Sequence, residues 1–159
     1  MPQRCGCGRT NWGSQAGRVV TASHYWLYRA TGGGRYLPSV RVLICDDEPH
    51  IRLLYRSEFE LAGAEVVCAG DGDECIEVAD REHPDVVILD LRMPRRDGLA
   101  TLPELCQHLP GVHVLIVSAN YVPELFKQAL SLGAEECIDK LDFLIRIPDL
   151  IAHYSGAAA

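Results

Sequence analysis

Short apolar runs alternate with amphipathic stretches along most of this chain, and this alternation restricts the folds that the chain can adopt. Val40–Cys45 is rich in β-branched residues, which indicates a buried strand, and the apolar residues of Pro49–Ala62 recur at helical spacing. The pattern then repeats four times. The other predicted strands are Glu65–Ala69, Asp85–Asp90, Val112–Val117 and Glu136–Asp139, and the other predicted helices are Asp71–Glu82, Gly98–Leu109, Pro123–Leu132 and Asp142–His153, with Pro148 as an alternative start of the last.

Strict alternation of strands and helices predicts an α/β fold, with five parallel strands in one sheet and five helices on its two faces. Right-handed crossovers leave few arrangements for such a chain, and an open doubly wound sheet agrees with the number of elements. In sheets of this type, ligands bind at the carboxyl ends of the strands. Residues at these ends are therefore the first candidates for a functional site.

Charged and hydroxyl-bearing residues occur where four of the predicted strands end. Asp46 and Asp47 follow the first strand, and Asp90 ends the third. Ser118 follows the fourth strand, and Lys140 follows the fifth. Carboxylates that lie close together repel each other unless a cation compensates their charge, and oxygen ligands suit Mg²⁺. Taken singly, each of these residues is also compatible with a helix cap or a solvated surface charge.

Taken together, the same residues resemble the receiver domain of two-component response regulators. The resemblance extends from Val40 to about Tyr154. The motifs that carry it are, in order, Asp46-Asp47, Asp90, Met93–Gly98, Ser118-Ala119 and Lys140. The resemblance implies a flavodoxin-like receiver fold with Mg²⁺ as its cofactor.

The resemblance also implies a role for each site residue. Asp90 is expected to be the phosphoacceptor, and Ser118 and Lys140 are expected to contact the phosphoryl group. The expected Mg²⁺ ligands are Asp46, which acts through water, Asp47, Asp90 and the backbone carbonyl of Arg92.

The implied function is that of a single-domain response regulator. Such a protein takes a phosphoryl group from a sensor histidine kinase or a phosphotransfer protein and signals through phosphorylation-dependent contacts with a downstream protein. It assists its own phosphorylation and dephosphorylation without being a separate enzyme, as a monomer or as a homodimer formed on phosphorylation. A phosphatase of the haloacid dehalogenase type is disfavoured, because Asp90-Leu91-Arg92 lacks the second acid of that motif.

Two departures from the family pattern favour an alternative, a receiver-like interaction scaffold that does not switch. Receivers commonly carry an aromatic residue in the fifth strand that rotates inward on activation, and Cys137 stands at that place here. The lysine after this strand is usually followed by proline, whereas Leu141 follows Lys140 in this chain.

The first 39 residues differ from the remainder. They carry a net charge of +5 and half of the 14 glycines. Residues 40–159 carry a net charge of −12, so that the whole chain carries −7. We expect a basic disordered arm over residues 1–39, a receiver domain over residues 40–155 and a short tail over residues 156–159. The acidic domain disfavours nucleic acid as a partner, and no apolar run approaches the roughly 20 residues of a membrane span.

Seven cysteines are distributed without a regular framework. Cys5 and Cys7 supply only half of a four-ligand zinc site, so metal binding by this pair is disfavoured. No apolar segment near the start resembles a signal peptide. We therefore expect a cytoplasmic protein with reduced thiols, including those within apolar segments, which are Cys45, Cys68, Cys75, Cys106 and Cys137.

Overall fold

Five parallel strands form one sheet in the computed structural model, which describes residues 40–119 and 122–157. The strands are β1 (Arg41–Cys45), β2 (Glu65–Ala69), β3 (Val86–Leu89), β4 (His113–Ser118) and β5 (Glu136–Asp139), and they lie in the order β2-β1-β3-β4-β5. Adjacent strands are in register at their carboxyl ends, where Cys45 pairs with both Ala69 and Leu89. The predicted five-stranded, doubly wound parallel sheet is confirmed.

Five helices cover the two faces of this sheet. They are α1 (Pro49–Leu61), α2 (Gly72–Glu82), α3 (Gly98–His108), α4 (Pro123–Leu132) and α5 (Lys140–Ala157). On one face, α1 and α5 bury Phe59 and Phe143 against alternate residues of the strands, such as Val42 and Ile44. On the other face, α2, α3 and α4 pack on the intervening residues, such as Leu43. None of the described helices is long and apolar enough to cross a membrane.

The last helix starts earlier than its sequence pattern predicts. It begins at Lys140, two residues before the predicted start, and continues through Pro148 instead of beginning there. The Oδ1 of Asp139 accepts the Leu141 N–H at 2.8 Å, which satisfies one of the free donors of the first turn. Ile147 and Ile151, each at most 2 % exposed, pack on the sheet on either side of Pro148. This burial stabilises the helix where proline removes a hydrogen bond.

The prediction of reduced thiols is wrong for two of the cysteines. Cys45 at the end of β1 and Cys75 in α2 form a disulfide, with their Cα atoms 6.0 Å apart. Both side chains point into the core between the sheet and α2, so the fold brings together two residues separated by 30 positions. The other cysteines that the structure describes take part in no disulfide, as predicted; they are Cys68, Cys106 and Cys137. The predictions for the arm over residues 1–39, including Cys5 and Cys7, lie outside the described residues.

Candidate functional site at the carboxyl edge of the sheet

Three carboxylates converge at the carboxyl edge of the sheet. Asp46, Asp47 and Asp90 each offer an oxygen, and these oxygens all lie within 4.8 Å of one another. Asp46 and Asp90 are buried, at 2 % and 6 % exposure, whereas Asp47 is exposed to solvent. The sequence prediction that these three residues meet at one place is confirmed by this geometry.

The backbone of the two central strands fixes this convergence. β1 and β3 are neighbours and in register, so the residues that follow Cys45 and Leu89 emerge side by side. The Asp90 N–H donates to the Cys45 carbonyl at 2.9 Å, and the Asp46 N–H donates to the Ala69 carbonyl at 3.2 Å. The two buried carboxylates are therefore held by ladder-like bonds that continue from the sheet itself.

Lys140 brings a cation into contact with the carboxylates of the site. Its Nζ lies 2.6 Å from Asp46 Oδ2, 3.0 Å from Asp90 Oδ2 and 3.6 Å from Glu48 Oε1. Burial lowers the pKa of Lys140, but the hydrogen bonds and charges of Asp46 and Asp90 outweigh it, so the pKa is raised above its usual value. Lys140 is thus a permanent positive charge that bridges the two buried acids.

Burial is the largest influence on the pKa of Asp90, which lies above its usual value. Burial raises its pKa, while the hydrogen bond and charge of Lys140 act in the opposite direction. The Arg92 N–H donates to Asp90 Oδ1 at 3.3 Å and also favours the ionised form. One oxygen of Asp90 therefore faces Lys140 and the other faces the loop that follows β3.

Ser118 ends β4 at the same edge and is buried, at 2 % exposure. It pairs in the sheet with Asp139, the residue before Lys140. The register thus places Ser118 and Lys140 on neighbouring strand ends, as the sequence predicts. The role of the Arg92 carbonyl as a metal ligand stays a prediction, since the structure defines only the contact of the Arg92 N–H with Asp90.

The loop after β3 folds tightly beneath the site. The Gly98 N–H donates to the Leu91 carbonyl at 3.1 Å, and a Cβ at position 98 would clash with the Asp90 carbonyl. Only glycine permits this close approach. Arg95 adopts a left-handed backbone conformation, with φ of 63°, and forms an ion pair with the buried carboxylate of Asp71, the N-cap of α2.

Two further residues lie close to the site and have no role in the sequence prediction of it. Tyr55 is buried against Phe143, with ring centroids 4.9 Å apart. Burial raises the pKa of Tyr55 to about 12, and the charge of Lys140 partly offsets this. Glu48 contributes a carboxylate near Lys140. Among the apolar residues that recur at helical spacing along α1, Tyr55 alone has a polar group in its side chain. This hydroxyl is the one signal in the sequence that could have identified it.

The donor set suits Mg²⁺. Mg²⁺ binds through one or two carboxylates, keeps several waters and prefers oxygen ligands. Asp46, Asp47 and Asp90 provide oxygen ligands only, and Asp47 opens the cluster to solvent. The cluster carries three carboxylates against the single bridging lysine, so its local charge also favours a cation.

Curated relatives match this chain over a shared segment of about 100 residues. The Regulatory protein AtoC of Escherichia coli is 36% identical over 100 residues, which are 63% of this chain and 22% of AtoC. The alkaline phosphatase synthesis transcriptional regulatory protein PhoP of Bacillus subtilis is 32% identical over 102 residues, 63% of this chain and 42% of PhoP. A protein-glutamate methylesterase/protein-glutamine glutaminase of Rhodospirillum rubrum is 37% identical over 105 residues, 64% of this chain and 27% of that protein. The match thus spans less than half of each of these relatives.

Solved structures share the whole fold. The REC domain of AraT, a response regulator from Geobacillus stearothermophilus, superposes with a TM-score of 0.66 at 30% identity, covering 75% of this chain and 95% of that domain. The response regulator domain of Thermotoga maritima CheB superposes with a TM-score of 0.64 at 29% identity, covering 75% of this chain and 96% of that domain. The family model of the response regulator receiver domain matches residues 42–151, which include every strand end of the site. The chain therefore belongs to the response regulator receiver domain family.

Proposed function

We propose that this receiver domain, over residues 40–155, accepts a phosphoryl group on Asp90 from a phosphohistidine of a sensor kinase or a phosphotransfer protein. The observation that carries the proposal is the placement of Asp90. Its carboxylate is buried beside Lys140 and lies within 4.8 Å of two further acids. A lone surface aspartate would have neither a fixed cation nor a cation-binding cluster beside it.

The residues of the site support a direct displacement. A carboxylate oxygen of Asp90 attacks phosphorus, the P–N bond of the phosphohistidine breaks, and its electron pair returns to the imidazole. Lys140 favours the ionised form of Asp90 and then faces the new phosphoryl oxygens, and Ser118 donates its hydroxyl to one of them. Positioning and charge stabilisation are the main contributions that a protein makes to phosphoryl transfer.

Mg²⁺ fits this proposal as the cofactor. Asp47, Asp90 and the Arg92 carbonyl would hold it directly, and Asp46 would hold it through water. When bound, Mg²⁺ neutralises charge that develops on the transferring oxygens. Burial raises the pKa of Asp90 and so disfavours its ionised form, and a bound cation would add to the opposite effect of Lys140 and the Arg92 N–H.

The output of the domain is proposed to be phosphorylation-dependent contact with a downstream protein. The relatives described above include a transcriptional regulatory protein and a protein-glutamate methylesterase. The acidic domain favours a protein as the direct target over nucleic acid. The single-domain organisation, the cytoplasmic location and the homodimer formed on phosphorylation stay predictions.

The proposal is tested with acetyl phosphate and Mg²⁺ on the purified chain. We expect the wild type to gain one phosphoryl group and the Asp90→Asn variant to gain none, because the amide is not a nucleophile. Intact-mass spectrometry at low temperature measures the product. Removal of Mg²⁺ with a chelator should also abolish labelling.

A matched control is Asp149→Asn, which changes an exposed aspartate on α5. It should be labelled like the wild type, and Asp90→Asn should keep the circular dichroism spectrum of the wild type. Labelling of Asp90→Asn to the extent of the wild type would refute the assignment of the phosphoacceptor.

The alternative, a scaffold that does not switch, is favoured by the start of α5. Leu141 donates the N–H that Asp139 accepts, whereas proline at that position would have no N–H to donate. Cys137, which stands at the place of the family's aromatic residue, is half-buried, with its Sγ 3.7 Å from the Phe126 carbonyl. Amide NMR spectra with and without beryllofluoride separate the two functions. Shifts that spread over β4, α4 and β5 support switching, and shifts confined to the neighbours of Asp90 support the scaffold.

A further inference from the structure

The disulfide lies directly behind the acidic site. Cys45 precedes Asp46 in the chain, and the Cys45 carbonyl accepts the Asp90 N–H at 2.9 Å. Its partner, Cys75, is the fourth residue of α2 and belongs to the first turn of that helix. The covalent bond thus joins the backbone that carries two of the acids to the start of a helix on one face of the sheet.

The start of α2 is in turn attached to the loop that follows Asp90. Asp71 forms an ion pair with Arg95, and the Gly72 N–H donates to the Arg96 carbonyl at 3.2 Å. A Cβ at position 72 would clash with this carbonyl, so the two backbones are in close contact. Asp71 also accepts the N–H groups of the first turn of α2, which fixes its own position.

These contacts form a closed circuit around the site. It runs from Cys45 through the disulfide to α2, from Asp71 to Arg95 in the loop, back along the loop to Asp90, and from the Asp90 N–H to Cys45. The acids of the cluster are attached to this circuit or are part of it. Within this circuit, the disulfide is the one connection that forms on oxidation and breaks on reduction.

We propose that Cys45 and Cys75 form a reversible redox switch that sets the Mg²⁺ affinity of the acidic site. The proposal rests on the proposed function for its biological meaning, since Mg²⁺ serves phosphoryl transfer there. In the disulfide form the circuit is closed and the carboxylates are held in place before the ion arrives. In the dithiol form the first turn of α2 and the loop move more freely, and Mg²⁺ binding must order them. Preorganised ligands bind more tightly because less ordering accompanies binding.

A peroxide is the oxidant class that suits this pair. Cys45 is 1 % exposed and Cys75 is fully buried, so the oxidant must be small. One thiol takes an oxygen from hydrogen peroxide and becomes a sulfenic acid, with release of one water. The second thiol displaces the hydroxyl as a second water and forms the disulfide. Two sulfurs are oxidised and one peroxide is reduced, and a small dithiol reductant reverses the reaction by exchange when local opening at the start of α2 exposes the disulfide.

The proposal is tested by calorimetric titration of the full chain with MgCl₂, once after treatment with peroxide and once after reduction with dithiothreitol. We expect the oxidised protein to bind Mg²⁺ about fivefold to tenfold more tightly, at the lower end of typical coupling between two sites. A digest without reductant, followed by mass spectrometry, must contain the peptide linked through Cys45 and Cys75. Equal Mg²⁺ affinities with the link present, or oxidation only at other cysteines, would overturn the proposal.

Matched variants make the test specific. Cys75→Ala should bind Mg²⁺ like the reduced wild type under both conditions, whereas Cys106→Ala, which removes a cysteine of α3 outside the disulfide, should keep the redox response. If Cys75→Ala fails to fold, the reciprocal effect of Mg²⁺ on the disulfide of the wild type is measured instead. Coupling is symmetric, so saturating Mg²⁺ should shift the thiol–disulfide equilibrium of the wild type toward the disulfide by the same factor. Absence of this shift overturns the proposal. A redox response without phosphoryl labelling of Asp90 would refute the proposed function alone.

Discussion

The carboxyl ends and the amino ends of the parallel strands, here called the carboxyl edge and the amino edge of the sheet, differ in how their charges are balanced. At the carboxyl edge, three clustered carboxylates face the single lysine that bridges two of them. At the amino edge, two cationic side chains each have a carboxylate beside them. Arg41 lies 3.0 Å from Glu65, and His113 lies 2.6 Å from Glu135. The same fold thus carries an unbalanced edge and a balanced edge.

This difference indicates which edge of the sheet is suited to ligand binding and catalysis. Groups that are already paired are stabilised little by a further ligand. A cluster with an excess of negative charge is stabilised by a bound cation and by the ligands that the cation binds. The amino edge can therefore be explained by stability alone. The carboxyl edge costs stability when it is empty of cations, and Lys140 is the residue that limits this cost.

The largest effect is expected from removing that lysine. Lys140→Met should destabilise the protein by about 3 kcal/mol in the absence of Mg²⁺, because the buried carboxylates of Asp46 and Asp90 would lose the cation that bridges them. Urea unfolding followed by circular dichroism measures the loss. Added Mg²⁺ should recover much of the stability, since it binds the folded state alone.

Lys127→Met serves as the control, because Lys127 is exposed on α4 and is the only other lysine of the chain. Its unfolding free energy should match that of the wild type within about 0.5 kcal/mol. A loss below about 1 kcal/mol for Lys140→Met would contradict the comparison of the two edges, since buried ion pairs normally cost more to break.

The site was predictable from the sequence because its geometry follows from the sheet. Asp46, Asp90, Ser118 and Lys140 lie at strand ends, and parallel strands in register bring their ends together whatever the loops do. The strand boundaries themselves were predicted within one residue at each end, since continuous apolar runs mark buried parallel strands.

Contacts between distant segments were not predictable in the same way. The ion pair of Arg95 with Asp71 depends on a left-handed backbone at Arg95, which no residue type near it requires. The disulfide of Cys45 with Cys75 depends on which face of the sheet α2 covers and on how closely the helix packs against that face. Alternation of elements determines the layers, but it does not determine these side-chain distances.

A smaller and pH-dependent effect is expected at the amino edge. The hydrogen bond with Glu135 raises the pKa of His113 above 6.5, and the same bond lowers the pKa of Glu135 below 4.5. The His113 contribution is present below pH 6.5 and is lost as the pH rises through its raised folded value. The Glu135 contribution is present above pH 4.5 and is lost as the pH falls through its lowered folded value.

Both contributions are therefore fully present between pH 4.5 and 6.5. In this window Glu135→Gln should cost about 1–2 kcal/mol, and the cost should shrink as the pH rises beyond it. Unfolding free energies of wild type and variant across the pH range measure this. The control is Asp80→Asn, which breaks an exposed pair with His108 and should cost at most about 0.5 kcal/mol. A cost for Glu135→Gln that grows above neutral pH would show that the pair is not the cause.

The smallest effect is expected at the exposed pair of the amino edge, which most directly tests the idea of a balanced edge. Glu65→Gln removes the carboxylate that faces Arg41, yet Arg41 keeps a 2.7 Å bond from its side chain to the Glu82 carbonyl and another from its N–H to Asp85. Both partners are about half exposed, so water replaces the lost contact. We expect a change within about 0.5 kcal/mol in urea unfolding, as for surface pairs in general. A loss comparable to that of Lys140→Met would mean that the amino edge also depends on a few charges, and the contrast between the edges would fail.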